Sequence, residues 1–312
     1  MKIAFLFAGQ GSQYVGMGKE LYHGSDAAKK IFDMGEAIRP NTIYTCFEGD
    51  GAELTKTVNT QPCLFLCDLA AAEALKAEGI VPELCAGFSL GEIPALAFSG
   101  VMSAEDAFKT VTVRGEAMHA CSEKYGGAMA AVLKLPFETV EKLCGGYQNV
   151  YPVNYNCPGQ LSCAGVPEEI DAFCADVKAA GGRAVKLPVS GAFHTPFMRG
   201  ASEALSEHLS SVSVNAPIIP IYSDLSAELY PSDEEGIKRN IAAQASGSVR
   251  WVDILTDMRA RGVDTFVEVG AGKTLSGFVS RSFPEEVASG AVRIFNVSDT
   301  ETLAATVQAL KG

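Results

Sequence analysis

The chain's short apolar runs lack the alternation of a strand with one wet face. KIAFLFA, ELCAGF, IIPIYS, DTFVEVG and VRIFNV are apolar on both faces, and helical patterns such as PCLFLCDLAAAEALKAEG separate them. Strands of this kind, alternating with helices, predict a parallel sheet covered on both sides, an α/β core. With 312 residues the chain can bury one large domain or two modest ones.

One stretch breaks the rhythm. From Gly126 to Pro188 the order reads strand (AMAAVLKL), helix (PFETVEKLCGG), strand (YQNVYPVNY), turn, strand (QLSCAGV), helix (PEEIDAFCADVKAAGG), strand (RAVKLPV). This βαββαβ order is the split-βαβ, ferredoxin-like pattern. The expectation is an inserted small subdomain over residues 126–188, with the large subdomain formed by residues 1–125 and 189–312. PSDEEG, near residue 231, reads as a surface loop.

A net charge of -12 argues against a nucleic-acid binder, which needs a basic face toward phosphates. The opening MKIAFLFAGQGS resembles a signal peptide but lacks a small-residue cleavage site, and so reads as a first strand. No apolar run approaches the about 18 residues that cross a membrane. The nine cysteines are scattered singly through apolar runs without a Cys-x-x-Cys pair, which fits buried thiols in a reducing compartment and predicts a cytoplasmic protein.

The stretch GFSLGE follows an apparent strand and precedes an apparent helix. Gly-x-Ser-x-Gly at such a turn is a nucleophile elbow: the glycines permit the tight backbone, and Ser89 is exposed at the sheet edge, making the large subdomain α/β-hydrolase-like. Serine needs a base, and there are four histidines. His23 and His119 sit in polar helical surroundings, and His208 is expected to face solvent from a helix. His194 lies in the glycine-containing loop PVSGAFHTPFM and is the candidate base. An ordinary lipase or esterase places its histidine late, and none lies beyond residue 208.

Two other glycine-rich stretches are decoys. AGQGSQ has Tyr14 where a dinucleotide loop needs glycine, and GAGKT has Val267 where a phosphate-binding loop needs one. The latter reads as a turn closing the large subdomain near the site. Arg114, in an apolar helical segment, is either a salt-bridged core residue or a receptor for an anion.

Taken in order, GQGSQ, GFSLGE, Arg114, NYNCPGQ, GAFHTP, Gln244 and GAGKTLSGF resemble the malonyl-CoA:acyl-carrier-protein transacylase family, the loading enzymes of fatty-acid synthesis. The resemblance implies a ping-pong acyltransferase. Ser89, with His194 as base, takes malonyl from malonyl-CoA and passes it to the phosphopantetheine thiol of acyl carrier protein, with no permanently bound cofactor. It further implies oxyanion donors at the Gln10 and Leu90 amides, a main-chain carbonyl at Gln244 that orients the histidine, and Arg114 gripping the malonyl carboxylate. Phe193, Asn156 and Gln61 fall near the acyl pocket, Phe193 occupying space that an α-methyl group would need.

The residue before the nucleophile is usually histidine in that family and here is Phe88, which puts pocket polarity in question. A serine hydrolase or thioesterase with the same Ser89 and His194, a transferase for another acyl-CoA, and a non-catalytic docking module are the alternatives. Arg114 favours the malonyl transferase, and retention of serine and histidine disfavours the docking module. For an acidic carrier protein, Lys186, Arg199, Lys238 and Arg239 are candidate docking cations.

Overall fold

Along strand β1 (Ile3–Phe7) every residue is buried, yet its two faces enter different cores. Ile3, Phe5 and Phe7 join the larger apolar cluster with the helices Thr57–Ala77 and Ala104–Tyr125, whereas Ala4 and Leu6 pack with Trp251, Ile254 and Phe278. The period-two alternation of a strand therefore sorts an uninterrupted apolar run onto two helical layers. The computed structural model describes all of residues 1–312.

The other strands are β2 (Leu84–Gly87), β3 (Ala128–Leu133), β4 (Val150–Cys157), β5 (Gln160–Gly165), β6 (Arg183–Lys186), β7 (Thr265–Val269) and β8 (Arg293–Val297). The large sheet runs β2-β1-β7-β8, with every pair parallel. The second sheet runs β4-β5-β3-β6, with every pair antiparallel. The protein is thus mixed α/β, with one parallel and one antiparallel sheet.

The second sheet divides its faces in the same way. Ala130 and Val132 of β3 pack against the helices Phe137–Cys144 and Pro167–Ala179, around Val140, Ile170 and Phe173. Met129 and Ala131, one residue out of phase, line a cavity shared with the large sheet's end. Val249 ties the two units together, receiving the Tyr155 N–H at 2.9 Å and donating to Val153 at 2.7 Å.

Three expectations need correction. IIPIYS is not a ladder strand: Pro217 and Pro220 carry no N–H, and only an isolated parallel bridge joins Ile221 to Cys85 of β2. His208 does not simply face solvent; its Nε2 lies 3.1 Å from the Thr110 hydroxyl, joining two helices. PSDEEG is also more than a loop, because Asp233 caps the helix Glu234–Gln244 by accepting the Gly236 N–H.

Candidate active site

The nucleophile elbow is built by what cannot fit around it. After β2 the chain turns through Ser89–Gly91 into the helix Glu92–Phe98. A Cβ on Gly87 would lie 2.0 Å from the carbonyl carbon of Gly91, and one on Gly91 would lie 2.3 Å from the Phe7 carbonyl oxygen. Both flanks must therefore be glycine, and β1 runs directly beneath. Ser89 has φ 54, in the left-handed region, where a side chain is strained by about 1–3 kcal/mol.

Substituting Gly91→Ala is expected to lower stability by about 1–3 kcal/mol through overpacking against main chain. Gly51→Ala, whose nearest neighbour would be Val15 Cγ2 at 3.9 Å, serves as a control within about 0.5 kcal/mol. Denaturant midpoints of the two variants provide the comparison, and equal midpoints would refute the packing argument.

His194, also at positive φ, occupies the loop between β6 and the helix Arg199–Leu209. Its Nε2 lies 2.8 Å from Ser89 Oγ. Its Nδ1 faces two main-chain carbonyls, Gly247 at 2.9 Å and Gln244 at 3.1 Å. Carbonyls only accept, so Nδ1 carries the proton and Nε2 presents its lone pair to the serine hydroxyl. Burial, and then the charge of Arg114, lowers the imidazole pKa to about 4, so the ring is a free base at neutral pH.

Arg114 is buried without a carboxylate partner. Its guanidinium donates to Gln61 Oε1 at 2.9 Å, Gln244 Oε1 at 2.8 Å and Ser89 Oγ at 3.2 Å, and its Nε has no acceptor. Burial lowers its pKa to about 10, which leaves it charged at neutral pH. The salt-bridged core alternative lacks its salt bridge, so a buried cation sits beside a serine with donors to spare. The Gln244 amide is oriented by this network, its oxygen toward the guanidinium and its Nε2 donating to the Ser89 carbonyl at 2.6 Å.

A cavity of about 310 Å³ opens above Ser89 and His194. Gln10, Gln61, Asn156 and Phe193 line it, while Leu90, Arg114 and Gln244 are buried and do not reach its wall. The main-chain N–H of Gln10 donates to no protein acceptor. Asn156 donates to Ser162 Oγ at 3.2 Å and leaves its Oδ1 unpartnered. Phe88 turns its ring into the apolar cluster, edge-on to Trp251 at 5.4 Å between centroids and 5.9 Å from Phe278. Phe88 also lines the cavity, so this part of its wall is apolar.

Some residues of the site escaped the sequence reading. Gly247 contributes only a carbonyl, which no residue type advertises. Asn154 lines the cavity with an unpartnered Oδ1; its spacing from Asn156 on β4 places both on one face, a signal that was available. Asp224 lies under the elbow, one residue beyond the IIPIYS run. Of the candidate docking cations, Lys186 pairs with Asp171, Lys238 with Glu234 and Arg239 with Glu235 on the chain's own surface. Such exposed pairs are weak and leave these cations little committed.

A serine–histidine pair on an elbow, a free main-chain donor at Gln10 and a buried cation define an acyl-transfer type of site. The chain belongs to the acyl transferase domain family, whose model matches residues 4–303. It is 38% identical to the malonyl CoA-acyl carrier protein transacylase of Bacillus subtilis (strain 168), over 99% of this chain and 98% of that protein. The crystal structure of malonyl CoA-acyl carrier protein transacylase from Clostridium perfringens superposes with a TM-score of 0.92 at 34% identity, covering 100% of this chain and 98% of that one. A malonyl-transacylase solved in complex with its type II PKS acyl-carrier protein superposes with a TM-score of 0.93 at 29% identity, covering 99% and 100%.

Proposed function

We propose that this protein transfers malonyl from malonyl-CoA to the phosphopantetheine thiol of an acyl carrier protein, for fatty-acid synthesis in the cytoplasm. The observation that carries the reading is the Ser89 hydroxyl held between the His194 free base at 2.8 Å and the Arg114 guanidinium at 3.2 Å. Nucleophile, base and carboxylate receptor then converge on one atom. A lipase has no use for the third of these.

In the first half-reaction His194 Nε2 takes the Ser89 proton as Oγ attacks the thioester carbonyl carbon. The oxyanion accepts hydrogen bonds from the Gln10 and Leu90 amides, each such donor contributing about 3 kcal/mol in the transition state. The C–S bond breaks, and the imidazolium returns its proton to the departing coenzyme A thiolate. The second half-reaction runs in reverse with the carrier thiol: His194 removes its proton, sulfur attacks the malonyl ester, and the proton goes back to Ser89. Arg114 holds the malonyl carboxylate through two parallel hydrogen bonds. Every group in this scheme is a side chain or main-chain amide, so the chemistry requires no resident cofactor.

In this reading residues 1–125 and 189–312 form an α/β-hydrolase-like unit that carries the nucleophile, and residues 126–188 a ferredoxin-like unit that roofs the cavity. The βαββαβ order and the β4-β5-β3-β6 arrangement support the second description.

Mass spectrometry after mixing with malonyl-CoA tests the function. The expected result is a malonyl adduct on Ser89 that holo carrier protein discharges and that Ser89→Ala lacks. Release of free malonate without an adduct would assign the site to a hydrolase instead.

A further inference from the structure

Beneath the elbow lies a pair of fully buried carboxylates, Asp224 and Glu92, to which the transfer chemistry gives no role. Asp224 Oδ2 accepts the main-chain N–H of Ser89 at 2.5 Å and the Gln244 Nε2–H at 3.1 Å. Asp224 is itself fixed at both main-chain groups: its N–H donates to Glu92 Oε2 at 2.6 Å, and its carbonyl accepts the Arg250 N–H at 2.8 Å. Glu92 in turn accepts the hydroxyl of buried Tyr230. A chain of buried hydrogen bonds therefore runs from Tyr230 through Glu92 and Asp224 to the amide of the nucleophile.

Burying carboxylates is unfavourable unless strong hydrogen bonds satisfy them, so such a pair calls for a reason. Asp224 does not act as the acid of a triad, because His194 Nδ1 is already engaged by the Gln244 and Gly247 carbonyls. What Asp224 does touch is the peptide N–H of a residue held in the left-handed region, Ser89 at φ 54. A strained turn persists only where its surroundings over-determine it. Without Asp224, the Ser89 N–H would point into the protein interior with no acceptor.

We propose that Asp224 is a positioning residue: it holds the strained Ser89 amide and thereby aims Oγ at the thioester carbon, with Glu92 and Tyr230 holding Asp224 in place. The inference rests on the acyl-transfer reading for its consequence, and on geometry alone for the contact. A hydrogen bond from a peptide N–H to a carboxyl oxygen is directional, and here the acceptor is Oδ2. An asparagine at this position keeps an oxygen that accepts the same two donors, while alanine keeps none.

The test uses the full chain, single-turnover acylation by malonyl-CoA, thermal melts and the Ser89 amide proton resonance. Asp224→Ala is expected to slow acylation about 100-fold, the scale of a displaced reacting group, with half-saturation by malonyl-CoA nearly unchanged. Asp224→Asn is expected to restore acylation to within about 5-fold of wild type, since an oxygen acceptor for the Ser89 N–H survives. In the wild type the Ser89 amide proton should resonate far downfield, as a 2.5 Å contact requires, and it should move in Asp224→Asn as an amide oxygen replaces the carboxyl acceptor. Wild-type acylation in Asp224→Ala, a folded Asp224→Asn as slow as the alanine variant, or a Ser89 amide resonance unmoved in Asp224→Asn would each overturn the proposal. If Asp224→Ala fails to fold, the asparagine rate and the amide resonance decide the matter. Absence of any Ser89 adduct in the wild type would instead reject the acyl-transfer reading, and the amide resonance would still report on the contact.

Discussion

His194→Ala is expected to load malonyl about 10²–10⁴ times more slowly than the wild-type chain, the range that a positioned general base supplies. The size of the effect follows from the hydroxyl's weakness as a nucleophile while it keeps its proton, and no second imidazole contacts Ser89 to take over. The same residue fixes the pH profile. With its pKa lowered to about 4 by burial and by Arg114, the imidazole stays neutral from pH 7 down through the range where a solvated histidine gains its proton. Single-turnover loading should therefore hold its rate through pH 6.5 and fall only as pH approaches about 4, when protonation removes the base. A midpoint near the ordinary histidine value would mean that another group is titrating, or that the ring is wet.

Arg114→Ala should lose the preference for malonyl over acetyl by about one to two decades, because a charge-assisted contact to a carboxylate contributes about 1.5–3 kcal/mol. Some acetyl transfer should persist, since the nucleophile, base and main-chain donors remain. A second consequence has a definite sign. The Arg114 charge is the second-largest cause holding the His194 pKa down, so its removal raises that pKa and moves the acid limb of loading to higher pH. Arg114→Lys is not a conservative exchange here, because a single ammonium cannot span Gln61, Gln244 and Ser89 as the planar fork does. The ratio of kcat/KM for malonyl-CoA and acetyl-CoA provides the measurement, and an unchanged ratio would remove Arg114 from the role of carboxylate receptor.

The parallel sheet was legible because β1, β2 and β7 are apolar on both faces, a pattern that few other settings tolerate. The inserted antiparallel sheet was legible from element order alone. IIPIYS misled because its residue types suit a strand while its pairing with β2 stops at a single bridge, Pro220 having no N–H to extend it. At the site, Ser89 and His194 could be picked out because their types carry chemistry and their loops carry glycine. Asp224 and Gly247 could not: each acts through main chain or on main chain, and such contacts depend on where distant segments pass. Arg114 lay between these cases, since the sequence left open whether it has a carboxylate partner and the packing around it supplies none.

The base is steadied at Nδ1 by two peptide oxygens instead of a carboxylate side chain. Every amino acid brings a peptide oxygen, so no single replacement at residues 244 or 247 deletes either acceptor outright; only a shift in the path of that segment can. For the imidazole contact itself, what matters is the course of the backbone between 244 and 249; the Gln244 side chain answers separately to Arg114, Ser89 and Asp224, and a Cβ at Gly247 would lie 2.2 Å from Leu225 Cδ1.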